Sequence, residues 1–160
     1  MTHSPILETA TLHWSDEAAC ARAAAALAAA APQDAVITLE GGLGAGKTTF
    51  VRHFLQALGV QGHIRSPTYT VMESYDVGWP ISHFDFYRFE GPQEWEDAGF
   101  RDVFALPGLK LCEWPQKVQV MMPARDLTLH LHADEQGRRH VRLHACSALG
   151  CRLARAIRSS

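Results

Sequence analysis

The stretch Gly41-Gly42-Leu43-Gly44-Ala45-Gly46-Lys47-Thr48 fits the pattern G-x-x-x-x-G-K-[ST] and restricts the chain more than any other. In such a loop successive main-chain N–H groups wrap a phosphate chain, the lysine reaches the outer phosphates and the hydroxyl holds Mg²⁺. Glycine is needed because the backbone bends sharply and approaches the ligand closely, where a Cβ would intrude. The flanks supply the required context. Ala35-Val36-Ile37-Thr38-Leu39 is a short apolar, β-branched run that suits a buried strand, and Thr49 to Leu58 has helical periodicity and stops at Gly59. Strand, glycine loop and helix in that order predict a nucleotide site, with Gly44, Ala45, Gly46, Lys47, Thr48 and Thr49 against the phosphates.

A chain of 160 residues is long enough for one domain with a proper core and too short for two full ones, so a single domain over 1–160 is expected. The formal charge of −2 removes any argument for a nucleic-acid partner from a basic pI, and such a contact would need a local patch. Cys20, Cys112, Cys146 and Cys151 form no C-x-x-C pair and follow no secretory signal, which suggests a reducing cytoplasm. Nine histidines invite a metal reading. His130 and His132 would share one face of a strand and His140 and His144 that of the next, but no thiol or acid stands at metal-site spacing, so solvated or core histidines are expected. The alanine-rich run contains Arg22 and is only weakly hydrophobic, so no membrane span is expected.

The residues before Trp14 read as an extended lead-in from Met1 to His13 that can pair as an edge strand. Ser15 is a good N-cap, Asp16 and Glu17 suit the positive end of a helix, and the alanine run carries that helix to about Ala31, before Pro32. Trp14 is either core beneath this helix or a flat surface for an adenine, with core preferred. Beyond the P-loop helix, Tyr69 to Tyr75 and Ile81 to Tyr87 read as two strands of a hairpin around Asp76 to Pro80. Pro92 to Ala98 reads as a short helix with proline near its start, and Phe100 to Leu106 as another. Strands at Leu109 to Trp114, Leu127 to His132 and His140 to Ala145 follow, the last two joined by a turn at Asp134 to Gly137. Ser147 caps a final helix to about Ile157. A hairpin inserted among βα units predicts an α/β, P-loop NTPase-like, three-layer fold with a mixed parallel and antiparallel central sheet.

A P-loop ATPase needs acids at the ends of neighbouring strands. Asp85 in Phe84-Asp85-Phe86 and Glu113 in Cys112-Glu113-Trp114 are each flanked by apolar residues. Such a carboxylate is costly to bury unless a cation or hydrogen-bond donors attend it. The plain alternatives are an Asp85–Arg88 ion pair and a surface Glu113. Thr68, after Ser66-Pro67, sits in a loop able to fold over the phosphates, or is an exposed loop threonine. There is no N-K-x-D for guanine, and the D-x-x-G at Asp134 to Gly137 falls in a hairpin turn, which favours ATP over GTP.

Together, Gly42 to Thr49, Ser66-Pro67-Thr68-Tyr69-Thr70, His83-Phe84-Asp85-Phe86-Tyr87-Arg88 and Glu113-Trp114-Pro115 resemble the signature series of the bacterial TsaE family, formerly YjeE, over nearly the whole chain. The resemblance implies a cytoplasmic ATPase that binds ATP and Mg²⁺, hydrolyses ATP slowly and acts with the TsaB and TsaD proteins in threonylcarbamoyladenosine modification of tRNA beside the anticodon. It implies Lys47 on the β- and γ-phosphates, Thr48 and Glu113 as metal ligands, Asp85 as the aspartate needed for hydrolysis and Thr68 as a switch-like residue. Ser15, Asp16 and Arg138 correspond to positions near the nucleotide, although Arg138 also reads as a solvated turn arginine. Trp114 would sense the nucleotide or a partner, or be core. Phe86 and Gln116 depart from the usual leucine and glutamate without removing a metal ligand. Arg152, Arg155 and Arg158 fall near one helical face, which more commonly is a solvated face than a tRNA contact, so tRNA is expected to be met through the complex. Two other readings remain: a small-molecule kinase on the same scaffold, and an interaction protein gated by ATP binding without required hydrolysis.

Overall fold

The computed structural model describes residues 5–160, so Met1 to Ser4 of the expected lead-in lie outside it. Its described strands form one seven-stranded sheet: β1 (Glu8–Trp14), β2 (Val36–Glu40), β3 (Met72–Asp76), β4 (Pro80–Asp85), β5 (Leu109–Glu113), β6 (Leu127–Ala133) and β7 (Arg139–Ala145). Their spatial order is β1-β7-β6-β2-β5-β4-β3. Strands β6, β2, β5 and β4 run parallel to their neighbours in that series, whereas β1 pairs antiparallel with β7, β7 with β6, and β3 with β4. This is the mixed α/β sheet expected from the inserted hairpin. The central parallel strand β5 is buried along its whole length, its Lys110 and Glu113 included.

Helices α1 (Glu17–Ala29), α2 (Lys47–Leu58) and α5 (Ala148–Arg158) pack on one face, where Leu27, Phe50, Phe54, Ile37, Leu39, Leu129, Leu143 and Ile157 form the larger core. The short helices α3 (Pro92–Ala98) and α4 (Phe100–Ala105) cover the β4–β5 half of the other face over an aromatic cluster. In it Phe84 and Phe86 lie 5.4 Å apart and Phe86 also meets Phe89 at 5.2 Å. The phenylalanine at position 86 is thus fully buried among other rings. Trp14 is core too, stacked on Phe50 at 5.4 Å.

Three local expectations are corrected. The N-cap of α1 is Asp16 rather than Ser15: β1 runs on through buried Trp14, and the extended Asp16 then reaches forward to accept the Ala19 N–H at 2.8 Å. The strand expected from Tyr69 starts only at Met72, because Val71 takes a left-handed conformation (φ 67°) and its N–H closes a turn onto Pro67 O. The strand expected to reach Tyr87 ends at Asp85. Ser147 caps α5 as expected, accepting from Gly150 N–H at 2.9 Å. No described helix is long and apolar enough to cross a membrane.

Candidate functional site

Parallel strands β2, β5 and β4 end on the same side of the sheet, and the chain leaves β2 there into the glycine loop. That is where an open α/β sheet offers a crevice for a ligand. A cleft of about 390 Å³ is lined by Gly42 to Thr49, Thr68, Asp85, Tyr87, Arg88, Glu113, Trp114 and Arg139. Gly41 has to be glycine, since a Cβ there would come 2.5 Å from Leu131 O. Gly46 is left-handed at φ 103° and starts α2 without a side-chain cap, which leaves the first-turn N–H groups for an anion.

Lys47 is buried beneath this loop. Its ammonium donates to Gly41 O, stands 3.5 Å from Gly42 O, and lies 3.8 Å over the Trp114 ring. Burial pushes its pKa down, and Glu113 and then Asp85 act in the opposite sense. Trp114 is half-buried and left-handed at φ 56°, which turns its ring toward both Lys47 and Tyr87, 4.8 Å away.

Asp85 and Glu113 are directly paired residues on adjacent parallel strands. Alternation puts both on the α2 side of the sheet, while Phe84 and Cys112 point into the aromatic layer. Both acids are almost fully buried. Asp85 accepts the Tyr87 N–H at 2.9 Å, and Glu113 is 2.7 Å from His83 Nε2. Burial raises the Asp85 pKa; the Tyr87 N–H lowers it, the Glu113 charge raises it further, and His83 and Lys47 lower it. Arg88 instead stacks on Tyr69, 4.5 Å from the ring centre. Thr68 reaches the cleft from its loop, its hydroxyl 2.7 Å from that of Ser66. The Thr48 hydroxyl and the two carboxylates are hard oxygen donors. Two acids without a full protein cage suit Mg²⁺, which keeps waters and shares substrate phosphates.

The residues expected near the nucleotide separate. Asp16 borders a small cavity of about 110 Å³ with Trp14, Glu17, Cys20, Gly46, Thr49, Gly137 and Arg139, adjoining the phosphate cleft, whereas Ser15 lines neither. Arg138 also lines neither: it is bonded to Asp134 at 3.0 Å within its own turn. The neighbouring Arg139 lines both the cleft and the cavity. Its Nε lies 2.7 Å from where a Gly46 Cβ would be, and it donates to Gly137 O at 2.6 Å. The alternation carries the signal: Arg139 has the parity of Val141 and Leu143, whose side chains lie in the core beneath α1, α2 and α5. His83 was also passed over, although it shares its face with Asp85 by the same rule.

The family model described as "Threonylcarbamoyl adenosine biosynthesis protein TsaE" matches residues 14–141, a span that holds every cleft residue. The chain belongs to the TsaE family. Among TsaE relatives, the tRNA threonylcarbamoyladenosine biosynthesis protein TsaE of Haemophilus influenzae is 41% identical over 116 residues, 72% of this chain and 73% of that protein. The protein of the same name from Bacillus subtilis is 41% identical over 95 residues, 59% of each chain. That of Treponema pallidum is 31% identical over 68% of this chain and 81% of its own. The crystal structure of Bacillus subtilis YdiB superposes with a TM-score of 0.78 over 98% of both chains at 25% identity.

Proposed function

We propose that this TsaE chain binds ATP with Mg²⁺ and hydrolyses it slowly, in support of tRNA threonylcarbamoyladenosine biosynthesis in the cytoplasm together with TsaB and TsaD. The observation that carries the ATPase reading is the convergence of Lys47, Thr48, Asp85 and Glu113 on one cleft at the mouth of a glycine loop. The pathway rests on the family, and the two partners rest on what the motif series implies.

In this reading the loop N–H groups and Lys47 hold the phosphate chain, and ligand phosphates replace Gly41 O and the Trp114 ring as neighbours of the ammonium. Thr48 and Glu113 supply oxygens for Mg²⁺, which neutralises phosphate charge when bound. Asp85 orients the attacking water and Thr68 closes over the terminal phosphate from its loop. Arg139 and Asp16 flank the nucleotide at the start of α2. tRNA is met through the complex. Of the C-terminal arginines, Arg155 is engaged with Glu8 at 3.5 Å.

The test measures ADP release by the chain alone and with TsaB and TsaD, with and without Mg²⁺. Magnesium-dependent turnover that rises on adding the partners is expected. A rate independent of metal and partners, or a burst that depends on a small-molecule acceptor, would overturn the reading; the latter would favour a kinase.

A further inference from the structure

His83 is 3% exposed and Glu113 4%, and the imidazole Nε2 stands 2.7 Å from Glu113 Oε2. A carboxylate only accepts hydrogen bonds, so this contact places the imidazole proton on Nε2. Nδ1, the other ring nitrogen, points away from this contact. It is the buried side-chain polar atom that has no hydrogen-bond partner among the described residues.

A histidine kept at this position for stability would have both nitrogens satisfied, because an unpartnered buried polar atom costs free energy that an apolar side chain of similar volume would avoid. The reason for an imidazole here therefore lies in what Nε2 touches. In the β4–β5 register Asp85 is directly opposite Glu113 and His83 is one diagonal step behind. His83 does not line the cleft; Glu113 does. The imidazole thus reaches the carboxylate from the interior and occupies one of its two oxygens. That restrains the side-chain torsion and leaves the other oxygen for the cleft that Glu113 lines, as outer hydrogen-bond partners do for metal-binding carboxylates.

We propose that His83 is a positioning residue that orients Glu113 for the metal–nucleotide complex without touching the ligand, an inference that rests on the reading given under Proposed function. The contact acts on the part of nucleotide affinity that depends on the metal and leaves the part supplied by the glycine loop and Lys47 alone.

The experiment measures ATP affinity of the full chain by calorimetry, with Mg²⁺ and with chelator, for the unaltered protein, Glu113→Gln, His83→Leu, His83→Met and His83→Gln, alongside melting temperature. His83→Leu is expected to lose about tenfold of the magnesium-dependent gain in affinity. Its affinity in chelator stays unchanged and its melting temperature does not fall. His83→Gln keeps an N–H donor and retains most of the gain. If His83→Leu keeps the full gain, or loses affinity equally with and without metal, the positioning role is overturned. Failure of both His83→Leu and His83→Met to fold would overturn it too, by making the imidazole a structural anchor. An unaltered protein whose affinity ignores Mg²⁺, or a gain that survives Glu113→Gln, would sink the metal–nucleotide reading itself.

Discussion

The glycine loop and the acid-bearing strand ends meet in one cleft but are built in opposite ways. The loop is contiguous, its hydrogen-bond donors at the start of α2 are main-chain amides without a side-chain cap, and its own carbonyls from Gly41 and Gly42 face the Lys47 ammonium. The acid shelf is assembled from two strands, with His83 and Glu113 separated by 30 residues of chain. It gathers two buried carboxylates whose charges oppose each other. Local geometry accounts for most of the loop, with Leu131 O of β6 crowding Gly41, whereas the shelf stores electrostatic cost that a cation would relieve. The loop is therefore expected to govern whether a nucleotide is held, and the shelf what happens to it.

The largest effect that would break this division is expected at Lys47. Lys47→Ala should weaken ATP binding by about a hundredfold, the loss of roughly 3 kcal/mol of charge-assisted contact. Calorimetric titration with affinity left intact would remove the loop from its role. Next comes Asp85→Asn, expected to lower turnover by about a hundredfold with ATP affinity nearly unchanged. Should that variant still support tRNA modification, ATP would act as a gate and hydrolysis would be dispensable.

A smaller effect sharpens the border between loop and hairpin turn. Arg139→Ala is expected to weaken nucleotide binding by about tenfold, roughly the 1.4 kcal/mol of one charged contact. Arg138→Ala should leave it unchanged, because that guanidinium is spent on Asp134. Equal effects from the two would show that the turn rearranges on binding.

The smallest effect is on stability against pH without ligand. Because the folded protein holds the Asp85 pKa above 3.8, it binds more protons than the unfolded chain between those two values, and stability from this group falls as pH rises through the folded value. Asp85→Asn should therefore be more stable than the unaltered protein at neutral pH, and the difference should vanish below about pH 3.8. Denaturant melts at both pH values check this, and a difference that persists in acid would assign it to packing.

Much of this was legible from local pattern. The loop, its flanking strand and helix, and the Ser147 cap depend on neighbours within a few residues, so sequence spacing carries them. The acids at Asp85 and Glu113 were also visible, because a carboxylate between large apolar side chains stands out. Other features were not. Val71 is β-branched and favours extended backbone, yet its left-handed turn delays β3, with Val71 O accepting the Asp85 N–H at 2.8 Å. Arg138 and Arg139 are the same residue type side by side; alternation with Val141 and Leu143 selects the face of Arg139, but only its pairing with Trp14 across β7 and β1 sets it beside the start of α2.

By itself the sequence determined that a glycine loop would stand between a strand and a helix, since glycine conformation and amphipathic period are local properties of the chain. Tertiary structure alone decided which side chains share the cleft. Strand register set Asp85 beside Glu113 and put His83 behind them, and the left-handed Trp114 brought its ring over Lys47. The physical reason is that register and facing come from long-range pairing and burial on both faces of a sheet, and no short stretch of residues encodes those.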